Sequence, residues 1–225
     1  MGDDLSAKDG AKISQHVYQS DNSQLPNHIQ EITDEVTLNQ YGLNNKDLMN
    51  DKIGFKSGLY INTETGEVTY AIAGTDGLDA QDIVTNAFQG MGFTTDSYQQ
   101  GIDNAVKFDE ATQEQGVRAS LTGHSMGGGI AAAASEKTGL EAKTYNAAGV
   151  HPVTVVFGEG TENIDNYVMR HDPLTNVQNF HPLLPDASGT QHMLNPLGNK
   201  STSQNIKEGH SIDTIIEFSD IKDEE

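Results

Sequence analysis

The chain has 225 residues and no cysteine, and its 33 acidic and 13 basic residues give a formal net charge of −20. This length suits one domain with a substantial core, and the charge argues against a nucleic-acid partner because an acidic surface repels phosphate backbones. The lack of cysteine excludes disulfides, thiol catalysis and thiolate metal sites, and no apolar stretch reaches the ~20 residues of a transmembrane segment.

The first 27 residues are expected to be a weakly structured acidic segment, followed by one domain over residues 28–225. Residues 1–10 are acidic and lack the apolar core of a signal peptide. The localisation stays open: if the protein leaves its cell, either a signal has been removed or another machine carries it, for example to a target-cell periplasm. Residues 28–49 are predicted to form a polar helix, because four apolar residues recur there at roughly helical spacing.

Alternating strand and helix patterns occupy most of the remaining chain. Two short strands at residues 58–62 and 67–73 are predicted to form a hairpin. Further strands are predicted at residues 117–122, 143–146 and 166–170, and helices at residues 80–88, 97–115, 125–137 and 211–218. Strands that alternate with helices predict an α/β fold in which helices flank a mostly parallel central sheet.

A Gly-x-Ser-x-Gly pattern, Gly123-His124-Ser125-Met126-Gly127, follows a predicted strand and precedes an alanine-rich helix. This order is typical of a nucleophile elbow, in which the serine hydroxyl projects above the carboxyl edge of the sheet. Gly123 and Gly127 would let the two backbones approach without side-chain clashes, and His124 is expected to line the site. The alternative is a glycine-rich helix start in which Ser125 is an ordinary N-cap.

A serine nucleophile needs a histidine base and an orienting carboxylate, which follow it here in the chain order Ser, Asp or Glu, His. Asp172 comes after a predicted strand that Pro173 ends, so we expect its carboxylate at the active-site edge. His210 is the last histidine and lies before the closing helix. The predicted triad is therefore Ser125, Asp172 and His210. The weaker candidates are Asp165 and Asp186 for the carboxylate, and His151, His171, His181 and His192 for the base.

Acyl transfer also needs two N–H groups for the developing oxyanion. One is expected from Met126, and the other from the loop that begins where an early strand runs into Gly74. Together with the Gly-His-Ser-Met-Gly, His-Asp-Pro and final His motifs, this loop resembles the class 3 lipases over about residues 57–215. The resemblance implies an α/β-hydrolase fold, with Thr75 as the second oxyanion residue and Asp82 as a brace for its loop.

Two departures from the class 3 lipase pattern mark this sequence. Ala73 stands where many members have Arg, and Asn146-Ala147-Ala148-Gly149 stands where many have a Gly-x-Pro segment. The second departure suggests a divergent bacterial branch, which includes antibacterial lipase effectors that immunity proteins neutralise in the producing cell. The resemblance thus implies a serine carboxylic-ester hydrolase that acts on lipids, a phospholipase or lipase. An immunity or carrier protein would be its partner if it is an effector.

Two apolar segments are candidates for the lid and acyl groove that lipid substrates need. One contains Phe88, Met91 and Phe93, with ordinary helix-to-loop packing as its alternative. The other is residues 173–209, a long stretch with little regular pattern that includes Leu183 and Leu184. The chemistry requires no cofactor or metal, and calcium stays open as an accessory ion. A soluble short-chain esterase or thioesterase and a non-catalytic interaction module remain the alternative functions.

Overall fold

The computed structural model describes residues 5–18, 24–74, 96–150, 160–180, 185–197 and 209–222. The strands in these ranges are β1 Ile29–Ile32, β2 Met49–Asn50, β3 Phe55–Asn62, β4 Val68–Ile72, β5 Ala119–His124, β6 Glu141–Tyr145, β7 Ile164–Met169 and β8 Thr190–Leu194. The helices are α1 Ala7–His16, α2 Glu35–Gln40, α3 Asn45–Leu48, α4 Asp96–Gln115, α5 Met126–Thr138, α6 Pro173–Phe180 and α7 Ile212–Phe218. Across this described part of the chain, no helix is long and apolar enough to cross a membrane.

One sheet orders the strands β1-β3-β4-β5-β6-β7-β8, and β2 pairs with β3. The strands β1, β3 and β4 are antiparallel neighbours, whereas β4 to β8 run parallel. The hairpin and the mostly parallel sheet are confirmed, and the predicted helices after residue 96 and all predicted strands are found to within three residues at either end. Residues that follow β4, β5, β6 and β7 meet at one carboxyl edge, which is where such sheets place ligands.

Helices cover both faces of this sheet, so its parallel strands are buried on both sides. On one face, α4 and α5 cover a core that includes Tyr70 and Leu121. The backbone of α5 lies close to the sheet, because a Cβ on Gly127 would collide with the carbonyl oxygen of Ile72. On the other face, α1 and α7 pack over an apolar cluster that includes Tyr145.

The helix α1 corrects the prediction of a weakly structured N-terminal segment. Ser6 caps this helix by accepting a hydrogen bond from the Asp9 N–H. The buried face of α1 packs on β5 and β6, where Ser14 Oγ lies 2.9 Å from Thr122 Oγ1. Three of its six buried residues are Gly10, Ser14 and Gln15. Apolar periodicity does not reveal such a helix, because half of its buried residues are glycine or polar.

The predicted helix over residues 28–49 is also wrong. This region begins with β1, which pairs with β3 so that Ile29 lies opposite Asn62. Two short helices follow, capped by the side chains of Asp34 and Asn44. Such residues favour helix starts over helix interiors, and the φ of 76° at Gly42 separates the two helices. The four apolar residues that predicted one helix therefore share no helix face: Ile29 and Ile32 are buried in β1, Val36 is exposed in α2, and Leu43 is buried between the two short helices.

The segment 173–209 is more regular than its pattern predicts, because it contains α6 and β8. Pro173 opens α6, a position that its fixed φ and missing N–H suit. The strand β8 exposes most of its residues, so it lacks the apolar alternation by which strands are recognised. The proposed lid residues Leu183 and Leu184 lie outside the described residues, as does the helix predicted at residues 80–88.

A contact between His28 and Asp9 makes the stability of the α1 region depend on pH. The ring Nε2 lies 2.9 Å from Asp9 Oδ2, and this hydrogen bond is the main reason that the pKa of His28 is raised, against the effect of burial and with help from the charges of Asp9 and Glu64. A pKa raised on folding stabilises the fold fully below the unfolded pKa of about 6.5, and this gain is lost as the pH rises through the folded pKa. We therefore expect Asp9→Asn to lower the free energy of unfolding more at pH 5.5 than at pH 9. Urea denaturation at both values measures this, and a loss that does not change with pH would contradict it.

Candidate active site

Ser125 stands at the turn between β5 and α5, at the carboxyl edge of the sheet. Its φ of 57° and ψ of −125° lie in a region that residues other than glycine rarely adopt. Three backbone hydrogen bonds hold this turn: the Ser125 N–H donates to the Tyr145 carbonyl, and the Ser125 carbonyl accepts from Gly129 and Ala148. The strained turn places the Ser125 side chain where the parallel strands end.

The side chain of Ser125 does not serve as a helix cap. Ser125 occupies the N-cap position of α5 but makes no side-chain cap hydrogen bond, and its Oγ instead lies 2.8 Å from His210 Nε2. The elbow is also too tight for side chains on its glycines, since a Cβ on Gly123 would lie 2.5 Å from the carbonyl oxygen of Gly127. The ordinary-cap alternative therefore does not describe this serine.

His210 and Asp172 complete a hydrogen-bonded line with Ser125. His210 Nδ1 lies 2.6 Å from Asp172 Oδ1, while its Nε2 faces the serine hydroxyl. All three residues are more than nine-tenths buried, so water competes little for these bonds. A carboxylate only accepts hydrogen bonds, so Nδ1 carries the imidazole proton and Nε2 is the acceptor for the serine O–H. This is the arrangement that a general base requires.

The start of α6 holds the Asp172 carboxylate in place. Asp172 Oδ2 accepts a hydrogen bond of 2.7 Å from the Thr175 N–H, and the helix N-terminus favours a negative charge at this point. The preceding residue, His171, has a left-handed φ of 73° and is exposed. The turn thus directs Asp172 towards His210 and His171 towards solvent.

The weaker triad candidates that the structure describes lie away from Ser125 or face solvent. Asp165 contacts His192 Nε2 at 2.7 Å and Lys143 Nζ at 3.3 Å, so its carboxylate already serves another histidine. Asp186 is exposed. Two further histidines, His151 and His181, lie outside the described residues.

His124 lies behind the triad, at the end of β5. Its Nε2 is 2.6 Å from the carbonyl oxygen of His210, which can only accept, so Nε2 carries the proton and Nδ1 accepts from the Tyr18 hydroxyl at 3.0 Å. Burial lowers the pKa of His124 to about 3, with the neighbouring His210 charge adding to the effect and the carbonyl hydrogen bond opposing it. His124 is therefore neutral near pH 7 and supports the backbone of His210.

Asn146 belongs to the site, although in the sequence it marks only a departure from the lipase pattern. It is fully buried after β6 with a φ of 43°. Its amide donates to the carbonyls of Gly209 and His210 at 2.9 and 3.2 Å, and its Oδ1 accepts from the Met169 N–H at 2.8 Å. Asn146 thus joins the segment that carries His210 to the strand that leads to Asp172. An asparagine directly after a parallel strand, where a left-handed turn suits it, was the available signal.

Replacing Asn146 is expected to destabilise the fold. Asn146→Ala removes three buried hydrogen bonds, and alanine tolerates the left-handed region less well than asparagine, so we expect a loss of about 3 kcal/mol or more in the free energy of unfolding. Asn146→Gly loses the same hydrogen bonds without the backbone strain and should be about 1 kcal/mol more stable than the alanine variant. Urea denaturation compares the two variants, and a glycine variant that is no more stable than the alanine variant would rule out the strain.

The backbone positions around the predicted oxyanion hole lie close together. Met126 opens α5 directly after Ser125, which places its N–H at the helix N-terminus. Gly74 follows β4 on the neighbouring strand, and a Cβ built on it would lie 3.4 Å from Met126 N. The Gly74 N–H donates to the Tyr18 hydroxyl at 2.9 Å. Five other predicted residues lie outside the described ranges: Thr75, Asp82, Phe88, Met91 and Phe93.

These groups can carry out acyl transfer to a serine. Ser125 Oγ is placed as a nucleophile would be, His210 Nε2 as its base, and Asp172 as the buried carboxylate that fixes the tautomer of that base. In the ranges that the structure describes, no group of three or more His, Asp and Glu side chains is placed to hold a metal ion. The line from Ser125 Oγ through His210 to Asp172 is the arrangement that suits attack of a serine on a carbonyl carbon.

Comparisons with known sequences find similar proteins. A family model described as phospholipase-like, the Tle-like phospholipase domain, matches residues 9–215. The extracellular phospholipase A1 of Serratia liquefaciens is 32% identical over 159 residues, which cover 66% of this chain and 48% of that protein. The chain thus spans about half the length of this curated relative.

Two solved structures align with most of this chain. A mutant form of MDLA from Penicillium cyclopium aligns over 93% of this chain and 86% of its own, with a TM-score of 0.53 and 11% identity. A triacylglycerol lipase from Penicillium expansum covers 90% of this chain and 86% of its own, with a TM-score of 0.49 and 14% identity. At 11% identity the first similarity concerns the fold alone, and the predicted α/β-hydrolase fold is confirmed.

Proposed function

The chain belongs to the Tle-like phospholipase domain family, and we propose that it hydrolyses a carboxylic ester of a membrane phospholipid through an acyl-enzyme. The observation that carries the proposal is the buried line of Ser125, His210 and Asp172, with contacts of 2.8 and 2.6 Å. A non-catalytic interaction module does not require a serine with a strained backbone that is aligned with a histidine and a carboxylate. The family and the similarity to a phospholipase A1 support a phospholipid as the substrate.

In the proposed reaction, Ser125 Oγ attacks the ester carbonyl carbon while His210 Nε2 accepts the hydroxyl proton. The carbonyl oxygen becomes an oxyanion, for which the N–H groups of Met126 and Thr75 are the proposed donors. Asp172 stabilises the imidazolium. The C–O bond to the lysophospholipid then breaks, and the leaving oxygen takes the proton from His210. Water attacks the acyl-enzyme with His210 again as base, which releases the fatty acid and restores Ser125.

The negative net charge of the protein opposes its binding to a membrane. At −20, the protein is repelled by anionic leaflets, so binding to lipid requires an exposed apolar surface that offsets the repulsion. We propose Phe88, Met91 and Phe93 for this contact on the basis of the sequence. Phe180, at the end of the helix that Asp172 caps, is 87% exposed and is a second candidate.

The lid proposal predicts that Phe88→Ser, Met91→Ser and Phe93→Ser together impair hydrolysis of phosphatidylcholine vesicles about tenfold or more, because apolar burial drives membrane contact. Hydrolysis of p-nitrophenyl butyrate, a soluble ester, should change less than about twofold. A matched control is Val36→Ser with Met49→Ser, which removes two exposed apolar side chains from the α2–β2 region. Equal losses on vesicles and on the soluble ester would instead favour the soluble esterase. Fatty-acid release and nitrophenol absorbance measure the two activities.

We also propose an immunity or carrier protein as the partner of this enzyme, in the role of an antibacterial effector. The resemblance to a bacterial lipase branch supports this role. A carrier would also overcome the repulsion by anionic leaflets, because it would place the protein on its target membrane. The role requires that the wild type, but not Ser125→Ala, lyses bacteria when it is directed to their periplasm. Lysis by both or by neither would exclude it.

A further inference from the structure

We propose that Tyr18 is a positioning residue for ester hydrolysis, linking the start of the oxyanion loop to the backbone of the catalytic histidine through His124. The inference rests on the proposed function and adds a residue from the N-terminal segment to the active site. Tyr18 follows α1, far in sequence from Ser125, and its hydroxyl reaches the carboxyl edge of the sheet between β4 and β5.

The hydrogen bonds of this line have assigned directions. The Gly74 N–H donates to the Tyr18 hydroxyl oxygen at 2.9 Å, and the Tyr18 O–H donates to His124 Nδ1 at 3.0 Å. His124 Nε2–H then donates to the His210 carbonyl at 2.6 Å. The alternative acceptor for the Tyr18 O–H, the His124 carbonyl, is farther away at 3.4 Å. The group at the Tyr18 position must accept one hydrogen bond, from the Gly74 N–H, and donate another, to His124 Nδ1. A hydroxyl can do both.

The two ends of the line flank the reacting serine. Gly74 precedes the proposed oxyanion residue Thr75 and borders Met126 N, next to Ser125. At the other end, the carbonyl that His124 holds belongs to the residue whose ring accepts the serine proton. The rings of His124 and His210 also lie 5.0 Å apart at 46°. A shift of His124 would therefore change the orientation of the His210 ring towards Ser125, and a shift of Gly74 would change the geometry of the proposed oxyanion hole.

The backbone around Tyr18 is held independently of its hydroxyl. Lys56 Nζ donates to the Tyr18 carbonyl at 3.0 Å, and in α1 the Gln15 amide donates to Asp213 Oδ1 at 2.5 Å. Asp213 lies three residues beyond His210, so α1 also contacts the helix that follows the base. Tyr18→Phe should consequently keep α1 docked, while His124 Nδ1 and the Gly74 N–H lose a buried partner.

Tyr18→Phe is expected to lower kcat on p-nitrophenyl butyrate about 10- to 100-fold with KM changed less than about twofold, because small misplacements of reacting groups cost such factors. Tyr60→Phe is the matched control. The Tyr60 hydroxyl lies 3.1 Å from Nδ1 of His16, which belongs to α1, and Tyr60 is fully buried. The Tyr60→Phe variant should therefore retain the wild-type kcat. Titration of Ser125 with a fluorophosphonate normalises each kcat to folded, active protein.

A purely structural role would lower Tm in Tyr18→Phe and leave kcat unchanged well below that temperature, which would overturn the inference. A double-mutant cycle with His124→Gln provides a second test. If Tyr18 acts partly through His124, the loss in the double variant should be smaller than the product of the two single losses, whereas fully multiplied losses would show that Tyr18 does not act through His124. A wild type that hydrolyses no ester would instead refute the proposed function, so the two failures are distinguishable.

Discussion

Ser125→Ala is expected to lower the turnover of phospholipid by four to six orders of magnitude, as the removal of a triad nucleophile does in other serine hydrolases (roughly 10⁴–10⁶). The effect is this large because the proposed acyl-enzyme forms on Ser125 Oγ. The free energy of unfolding should change by only about 1 kcal/mol, since this side chain makes no cap hydrogen bond. Fatty-acid release and urea denaturation measure the two quantities.

A matched control for Ser125→Ala is Ser120→Ala. Ser120 is buried in β5, the strand that leads to Ser125, and its hydroxyl lies 3.0 Å from Thr69 Oγ1. We expect this variant to lose about 1 kcal/mol of stability and to keep its turnover. Comparable losses of turnover in both variants would mean that a buried hydroxyl matters to the fold and that Ser125 has no chemical role.

The second large effect concerns the pair His210 and Asp172. His210→Ala should cost nearly as much turnover as Ser125→Ala, because the hydroxyl then lacks a base. Asp172→Asn should cost about 10⁴-fold, because an amide does not hold the imidazole in the required tautomer. A triad acts as a unit, so the double variant should be little worse than His210→Ala. Steady-state turnover of the three variants tests this, and multiplied losses would show that the two residues act separately.

The chain offers a control for the Asp172 substitution in Asp165→Asn. Asp165 also contacts a histidine, His192, at 2.7 Å, but this pair lies on β7 and β8 and does not contact Ser125. We expect Asp165→Asn to retain turnover within about twofold, since surface ion pairs contribute roughly 0–1 kcal/mol. An equal loss of turnover in Asp165→Asn and Asp172→Asn would show that the Asp172 carboxylate has no specific role in the reaction.

Ser125 and the two residues next to it in the fold could be predicted because each lies in a recognisable local sequence pattern. Ser125 lies between an apolar strand and an alanine-rich helix, and Asp172 lies between a strand and a proline. His210 precedes a short helix, whose N-cap is Ser211. In a parallel sheet, residues that follow such strands meet at one edge, which brings Ser125 and Asp172 together. His210 follows no strand, and its prediction depended on the chain order Ser, Asp, His.

The N-terminal contribution could not be predicted in this way. Tyr18 reaches His124 because α1 packs on β5 through small and polar residues, and a tertiary contact of this kind leaves no apolar period in the sequence. The role of Asn146 depends on hydrogen bonds to Gly209 and Met169, which come together only when β6, β7 and the segment before α7 are in place. Tyr18 is recognised from the folded chain alone, whereas for Asn146 the sequence shows an asparagine after a strand but not the partners of its side chain.

The central claim is that Ser125 is the nucleophile of a lipid ester hydrolase, and one measurement tests it most directly. Purified protein that releases fatty acid from phosphatidylcholine vesicles is treated with a fluorophosphonate, digested and analysed by mass spectrometry. We expect one adduct, on the peptide that contains Ser125, together with loss of fatty-acid release in proportion to labelling. An adduct on another residue of inactivated protein, or full labelling of Ser125 with unchanged release, would contradict the claim.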